Sequence, residues 1–205
     1  DLYMAAGINR LICMDLHAAQ IQGFFNVPID NFPAAPTLAA HFRKKRLKNV
    51  IVVSPDHGGV TRARAFARFL DAPLAIIDKR RPEANKAEVM NIIGDVKDQV
   101  AIMVDDIIDT GGTLVAGAEA LLEAGATAVY AAATHGVLSK DATDRLQNSV
   151  ISEIVITNTI YLDPDKRRPK IKQLSIGSLL GEALLHILKD EPISQIFNRI
   201  NEEEA

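Results

Sequence analysis

The sequence predicts an α/β fold, a mostly parallel sheet flanked by helices. Short apolar, β-branched runs recur at 10–14, 50–53, 74–77, 100–104, 128–132 and 154–156. They are continuous rather than alternating, as expected of strands buried on both faces of a parallel sheet. Amphipathic stretches at 37–46, 61–70, 113–123 and 178–188 lie between or after them, with the spacing of crossover helices. Polar, glycine-bearing clusters succeed several of the runs directly, and α/β folds gather ligands at the carboxyl ends of their strands.

Composition narrows the class. The 205 residues are 48% hydrophobic and 24% charged, ordinary for a globular protein with a sizeable core. A net charge of −3 argues against a general nucleic-acid binder. No run approaches the ~18 apolar residues of a membrane helix. The single cysteine, Cys13, rules out an internal disulfide and fits a cytoplasmic setting. Its strand predicts burial and inertness. The chain opens on Asp1 with neither an initiator Met nor a signal sequence, as expected of a segment cut from a longer chain.

Along the chain, the first run leads into Asp15-Leu16-His17. In extended backbone Asp15 and His17 share a face, so both could approach one cation. Met14, Phe24 and Phe25 read as packing residues. Pro28, Pro33 and Pro36 cluster around Asp30 and predict a domain boundary there. The run at 50–53 leads into Ser54-Pro55-Asp56-His57-Gly58-Gly59. That glycine pair permits close backbone approach to a ligand, Asp56 is a candidate metal ligand, and His57 either contacts a nucleotide or caps the turn. Arg62 and Arg64 fall in the first turn of the next helix, where cations are mildly disfavoured; Arg62 answers to nearby anions or is simply solvated.

The run at 74–77 leads into Asp78-Lys79-Arg80-Arg81-Pro82, a basic loop of the kind that can close over polyphosphate. The most informative segment is 104–113. There a buried strand delivers Asp105, Asp106 and Asp109, then Thr110, Gly111, Gly112 and Thr113 at the start of a helix. A helix start offers unpaired N–H groups and a positive dipole end to an anion. The carboxylates beside it suit sugar hydroxyls or a metal, so a phosphate cradle with hydroxyl-reading acids suggests a ribose phosphate. Strand alternation predicts that only one of Asp105 and Asp106 meets the ligand while the other braces the loop. Gly125 is the expected stop of that helix. The basic clusters at 43–48 and 166–170 read as a helix end and a solvated loop, and 202–204 as a frayed tail.

Taken together, MDLHAAQIQGFF (14–25), VVSPDHGGVTRAR (52–64), AIIDKRRP (75–82), AEVMNIIGDV (87–96), VDDIIDTGGT (104–113), ATHGVLS (133–139), ITNTI (156–160) and QLSIGSLLGEAL (173–184) resemble the ribose-phosphate pyrophosphokinases, or phosphoribosyl pyrophosphate synthetases. The DDIIDTGGT element alone marks only the type I phosphoribosyltransferase superfamily; SPDHGG with DKRRP narrows it. The resemblance implies a type I phosphoribosyltransferase-like sheet, the second domain of a two-domain enzyme plus part of the first. Residues 1–30 would be a remnant of the N-terminal domain, 31–177 the C-terminal domain, and 178–205 a tail packing back on the first.

It also implies transfer of the β,γ-diphosphoryl group of ATP to the 1-hydroxyl of ribose 5-phosphate with Mg²⁺, in a cytoplasmic homo-oligomer, commonly a hexamer of dimers, with no nucleic-acid or membrane partner. Lys79 and Arg81 match the catalytic cations, which with His17 also contact ATP. Arg81, Asp105, Asp106 and 109–113 match the ribose 5-phosphate site. His17 and Asp56 match magnesium-site residues, with Asp15 and Asp30 as further members. Asn26 stands where many members carry Asp, which weakens a metal role there. The competing readings are a phosphoribosyltransferase that consumes the activated sugar and a non-catalytic synthetase-type subunit. The basic loop and the His17/Asp56 pair argue against the first, and intact Lys79 and Arg81 against the second.

Overall fold

A computed structural model describes residues 1–80, 89–197 and 199. The chain begins with a short helix α1 (Leu2–Ala5), strand β1 (Leu11–Met14), a 3-10 turn (Ala19–Phe24) and strand β2 (Ile29–Phe32). Next come α2 (Ala35–Lys45), β3 (Val50–Ser54), α3 (Val60–Leu70), β4 (Leu74–Arg80), β5 (Val89–Ile93), β6 (Val100–Ile108) and α4 (Gly112–Glu123). The remainder is β7 (Ala128–Gly136), α5 (Ala142–Gln147), β8 (Glu153–Thr157), β9 (Ile171–Leu174) and α6 (Gly177–Leu188).

Strands β1 and β2 form a parallel pair of their own, while the other seven build one sheet in the order β5-β4-β3-β6-β7-β8-β9. All neighbours in it are parallel except β4 and β5. Alternation of side chains divides the interior into two layers. Ile51, Val53, Ala101 and Met103 point to the side covered by α4 and α5, with Leu114, Leu121 and Leu146. Val52, Ile102 and Val104 point to the side covered by α2, α3 and α6, with Phe42, Phe66 and Ala183. Met14 and Phe32, from the small pair, belong to this second layer, so β1 and its surroundings share a core with the seven-stranded sheet.

Helix ends reflect local chemistry. Gly125 takes φ +96 just after α4, as its sequence position predicts, whereas α2 and α3 end on Arg46 and Asp71 in the left-handed region. The expected boundary at residue 30 falls inside β2, whose pairing with β1 sets Ile12 opposite Asp30. Two packing expectations are corrected. Phe24 is 78% exposed at the end of the 3-10 turn, and Cys13 is only half-buried, with burial raising its thiol pKa. Among the described residues no helix is long and apolar enough to cross a membrane.

Candidate active site

Strand β6 runs four residues further than its apolar stretch, so Asp105 and Asp106 are strand residues rather than loop residues. Asp109 and Thr110 then turn the chain, and Gly111 at φ 74, ψ −3 stands at the N-cap of α4. Glycine takes this conformation without strain, and a Cβ there would also lie 3.1 Å from Leu146. The α4 start, with its outward N–H groups, closes one end of a cavity of about 250 Å³. Asp56, Asp105, Asp109, Thr110, Gly111 and Thr113 line that cavity together. Residues from two separate sequence motifs therefore meet around one cavity.

The acid pair divides by strand alternation. Asp106, 3% exposed, accepts a hydrogen bond from His17 Nδ1 at 2.7 Å. Asp105 is less buried and lines the cavity. Arg62 of α3 forks across both, with Nη1 3.3 Å from Asp105 and Nη2 3.2 Å from Asp106. Burial pushes Asp105 up to about 6, reinforced by its neighbour Asp106. For Asp106 burial also works upward, but the hydrogen bonds it shares with Asp105 and His17, together with Arg62, outweigh it and hold its pKa below the usual range. Two adjacent carboxylates thus carry unequal proton affinities, and Arg62 compensates the pair.

The residues expected at a cation do not all converge. Asp15 has φ +39, which breaks the extended geometry needed to put it beside His17. Its Oδ2 instead accepts from Ala34 N at 2.8 Å and Thr134 Oγ1 at 2.6 Å, while His17 turns to Asp106. Asp30 is paired with Arg10 at 2.9 Å. Asp56 is exposed, and its Oδ1 accepts from Gly59 N, closing the glycine turn ahead of α3. His57 Nε2 donates to the buried Asp78 at 2.9 Å, tying that turn to β4. Among the described residues, no three His, Cys, Asp or Glu side chains are grouped to hold a metal ion. The backbone of Lys79 lies in β4 opposite Met90, and Arg81 lies outside the described residues.

A family model for the phosphoribosyl synthetase-associated domain matches residues 81–198, more than half of the chain. The chain belongs to that family. Among curated proteins, it is similar to the ribose-phosphate pyrophosphokinase of Caldanaerobacter subterraneus subsp. tengcongensis, 59% identical over 198 residues, covering 96% of this chain and 63% of the relative. It is 52% identical over 198 residues to that of Bacillus subtilis, covering 97% and 62%. Among solved structures, phosphoribosylpyrophosphate synthetase from Mycobacterium smegmatis superposes with a TM-score of 0.86 at 40% identity, over 93% of this chain and 62% of that one. Orotate phosphoribosyltransferase from Aeropyrum pernix shares the fold, with a TM-score of 0.50 at 18% identity over 73% and 74%. The chain thus spans less than two thirds of the length of the curated relatives it matches.

Within this phosphoribosyl synthetase-associated framework, the structure supplies contacts that sequence patterns do not single out. Arg62, for which the sequence leaves anions and solvent open, meets two carboxylates, and its partner Asp105 is 43 positions away. Ser139 donates to the carboxylate of Asp109, and Arg145 Nη1 donates to Thr110 O at 3.0 Å. No local pattern announces either of these. The one sequence signal is that 133–139 takes part in the resemblance.

Proposed function

We propose that this protein carries the ribose 5-phosphate half of a ribose-phosphate diphosphokinase, which moves the β,γ-diphosphoryl group of ATP to the 1-hydroxyl of ribose 5-phosphate, giving phosphoribosyl pyrophosphate and AMP. The observation that carries the reading is the cavity shared by Asp105 and the Asp109–Thr113 turn. Its helix-start N–H groups and the hydroxyls of Thr110 and Thr113 suit the 5-phosphate. Asp105 is assigned to ribose hydroxyls, and Asp106, sequestered by His17 and Arg62, keeps its neighbour oriented. The similarity to ribose-phosphate pyrophosphokinases supports the same assignment.

Lys79 and Arg81 are assigned to the transferring phosphoryl groups, where an Arg fork and a Lys point charge stabilise the charge that builds up on phosphoryl oxygens. Their place in the sequence, at the carboxyl end of β4 and just past it, supports this role, since β4 lies beside β3. His17 and Arg81 are assigned to ATP. In this reaction, positioning and electrostatics supply most of the rate, and no strong base is needed.

Mg²⁺ is the assigned metal. The exposed carboxylate of Asp56, in the cavity with Asp105, suits an ion that is held by one or two carboxylates, water and substrate phosphates rather than by an all-protein cage, and His17, assigned to the same metal, lies outside that cavity's lining, against Asp106. When bound, the ion would neutralise polyphosphate charge. Asp15 and Asp30, already engaged with Thr134 and Arg10, are left to orient the turn around His17. We further assign residues 1–30 to a first domain, to which the 178–197 segment returns, in a cytoplasmic homo-oligomer. The burial of Ile193 and Ile196 in one apolar cluster with Met14 supports the return of the tail.

The test is ribose 5-phosphate-dependent release of AMP from ATP in Mg²⁺. Release of pyrophosphate from phosphoribosyl pyrophosphate that depends on an added base, without AMP formation, would instead identify a phosphoribosyltransferase. Lys79→Ala should lower kcat by at least about a hundredfold while ribose 5-phosphate affinity changes little, as for a group acting mainly in the transition state.

A further inference from the structure

The phosphate turn is held from behind by the segment after β7. Leu138 N donates to Ile108 O at 3.1 Å, and Ser139 Oγ donates to the Asp109 carboxylate. From α5, Arg145 sends Nη1 to Thr110 O at 3.0 Å while Nη2 is gripped by both carboxylate oxygens of Asp141, at 3.1 and 3.0 Å. Leu146, the next residue, packs against Gly111. Neither Arg145 nor Ser139 lines the cavity formed by the turn.

We infer that Arg145 is a positioning residue for the phosphate site, acting through the Thr110–Gly111 peptide. In a planar trans peptide the C=O and the following N–H point in opposite directions. With the Thr110 carbonyl drawn toward α5 by the guanidinium, the Gly111 N–H is turned away from α5, toward the cavity side. A glycine in the left-handed region can flip this peptide at little steric cost, so without a partner the carbonyl could face the phosphate instead. That orientation would set a partial negative charge against the ligand. Ser139 works in the same direction, because its hydroxyl holds the turn's own carboxylate, which otherwise competes with phosphate for the N–H groups. Asp141 in turn aims the guanidinium.

This inference rests on the ribose 5-phosphate reading of the turn, and its test separates the two. Amide ¹H–¹⁵N spectra of the protein report the Gly111 peptide without any ligand, and calorimetry reports ribose 5-phosphate binding. Arg145→Ala should shift the Gly111 amide resonance, weaken ribose 5-phosphate binding about tenfold, the order expected on losing one oriented charged-ligand hydrogen bond, and leave the ATP KM unchanged. Added guanidinium ion should restore both the resonance and the affinity, which a merely structural contribution would not do. Asp141→Asn, a milder change that keeps the test open if Arg145→Ala does not fold, should produce a smaller effect of the same sign. A Gly111 amide that does not move in either variant overturns the inference, as does wild-type affinity in both. If the wild-type protein itself fails to bind ribose 5-phosphate while the Gly111 amide still answers to Arg145, the substrate reading falls and the peptide-orienting role stands.

Discussion

At the scale of single residues, the site is a set of competing charges settled by geometry. Asp105 and Asp106 are neighbours in sequence but differ in exposure and in partners, and this separates their proton affinities. An acid whose folded pKa is raised, as for Asp105 at about 6, binds more protons in the native state than in the unfolded chain between its two pKa values. Stability contributed by this group therefore falls as pH rises from the ordinary aspartate range to about 6. Asp105→Asn should accordingly gain stability relative to wild type across that window, on the order of 2 kcal/mol, and level off above it. Urea unfolding at several pH values checks this; a gain that appears only at acid pH would contradict it. Gly111 gives a second expectation. Gly111→Ala combines a left-handed backbone with a Cβ pressed on Leu146, so it should cost roughly 1–3 kcal/mol in thermal unfolding and weaken ribose 5-phosphate binding. The pattern of Asp and Gly around α4 made this turn legible in the sequence. The cations that serve it were not, because Arg145 meets Thr110 across 35 residues and the periodicity of a helix does not say what lies opposite.

At the scale of elements, strands announced by long apolar, β-branched runs were legible, and so were the four amphipathic helices. Those missed are short or carry few apolar residues. Strand β2 reads Ile-Asp-Asn-Phe and β9 reads Ile-Lys-Gln-Leu, so their strand character comes from the neighbour each pairs with. Likewise β5 exists through antiparallel pairing with β4, and α5 is six residues long, below the length at which propensity decides. The packing of α2 against the sheet has its own electrostatic tie: Glu153 of β8 accepts from His41 at 2.8 Å and pairs with Lys45 at 3.0 Å, and Lys45 also sits over the Tyr130 ring. Burial pushes the Glu153 pKa up, yet the hydrogen bonds from His41 and Lys45 and their charges outweigh it and hold it low. A carboxylate with a depressed folded pKa contributes stability that is complete above its unfolded pKa and is lost as pH falls through the folded value. Glu153→Gln should therefore cost about 1–3 kcal/mol at neutral pH and progressively less as pH falls below the ordinary glutamate range. Equal losses at neutral and acid pH would show that packing, not charge, accounts for the residue.

At the scale of the whole molecule, the small β1–β2 pair is docked on the large sheet by polar contacts as well as by Phe32. His135 of β7 donates Nε2 to the carbonyls of Met14 and Asp15, at 3.0 and 3.2 Å, and Thr134 holds the Asp15 carboxylate. This strap carries His17 to Asp106, which is how a residue near the start of the chain meets a strand from its middle. The tail closes the same layer, with Ile193 and Ile196 buried and Phe197 on Phe32. Phe197→Ala should lower unfolding stability by roughly 1–3 kcal/mol, less than a fully buried Phe because Phe197 is half-buried; a change near zero would mean the tail does not contribute to this core. The central claim, however, concerns the turn at 109–113. Its most direct measurement is the change in amide ¹H–¹⁵N resonances when ribose 5-phosphate, and separately unphosphorylated ribose, is added to the protein. Large shifts at 110–113 with ribose 5-phosphate, accompanied by smaller ones at Asp105 and absent with ribose at the same concentration, are the expected result. Shifts confined to another surface, such as the basic 166–170 loop, or equal responses to both sugars, would contradict it.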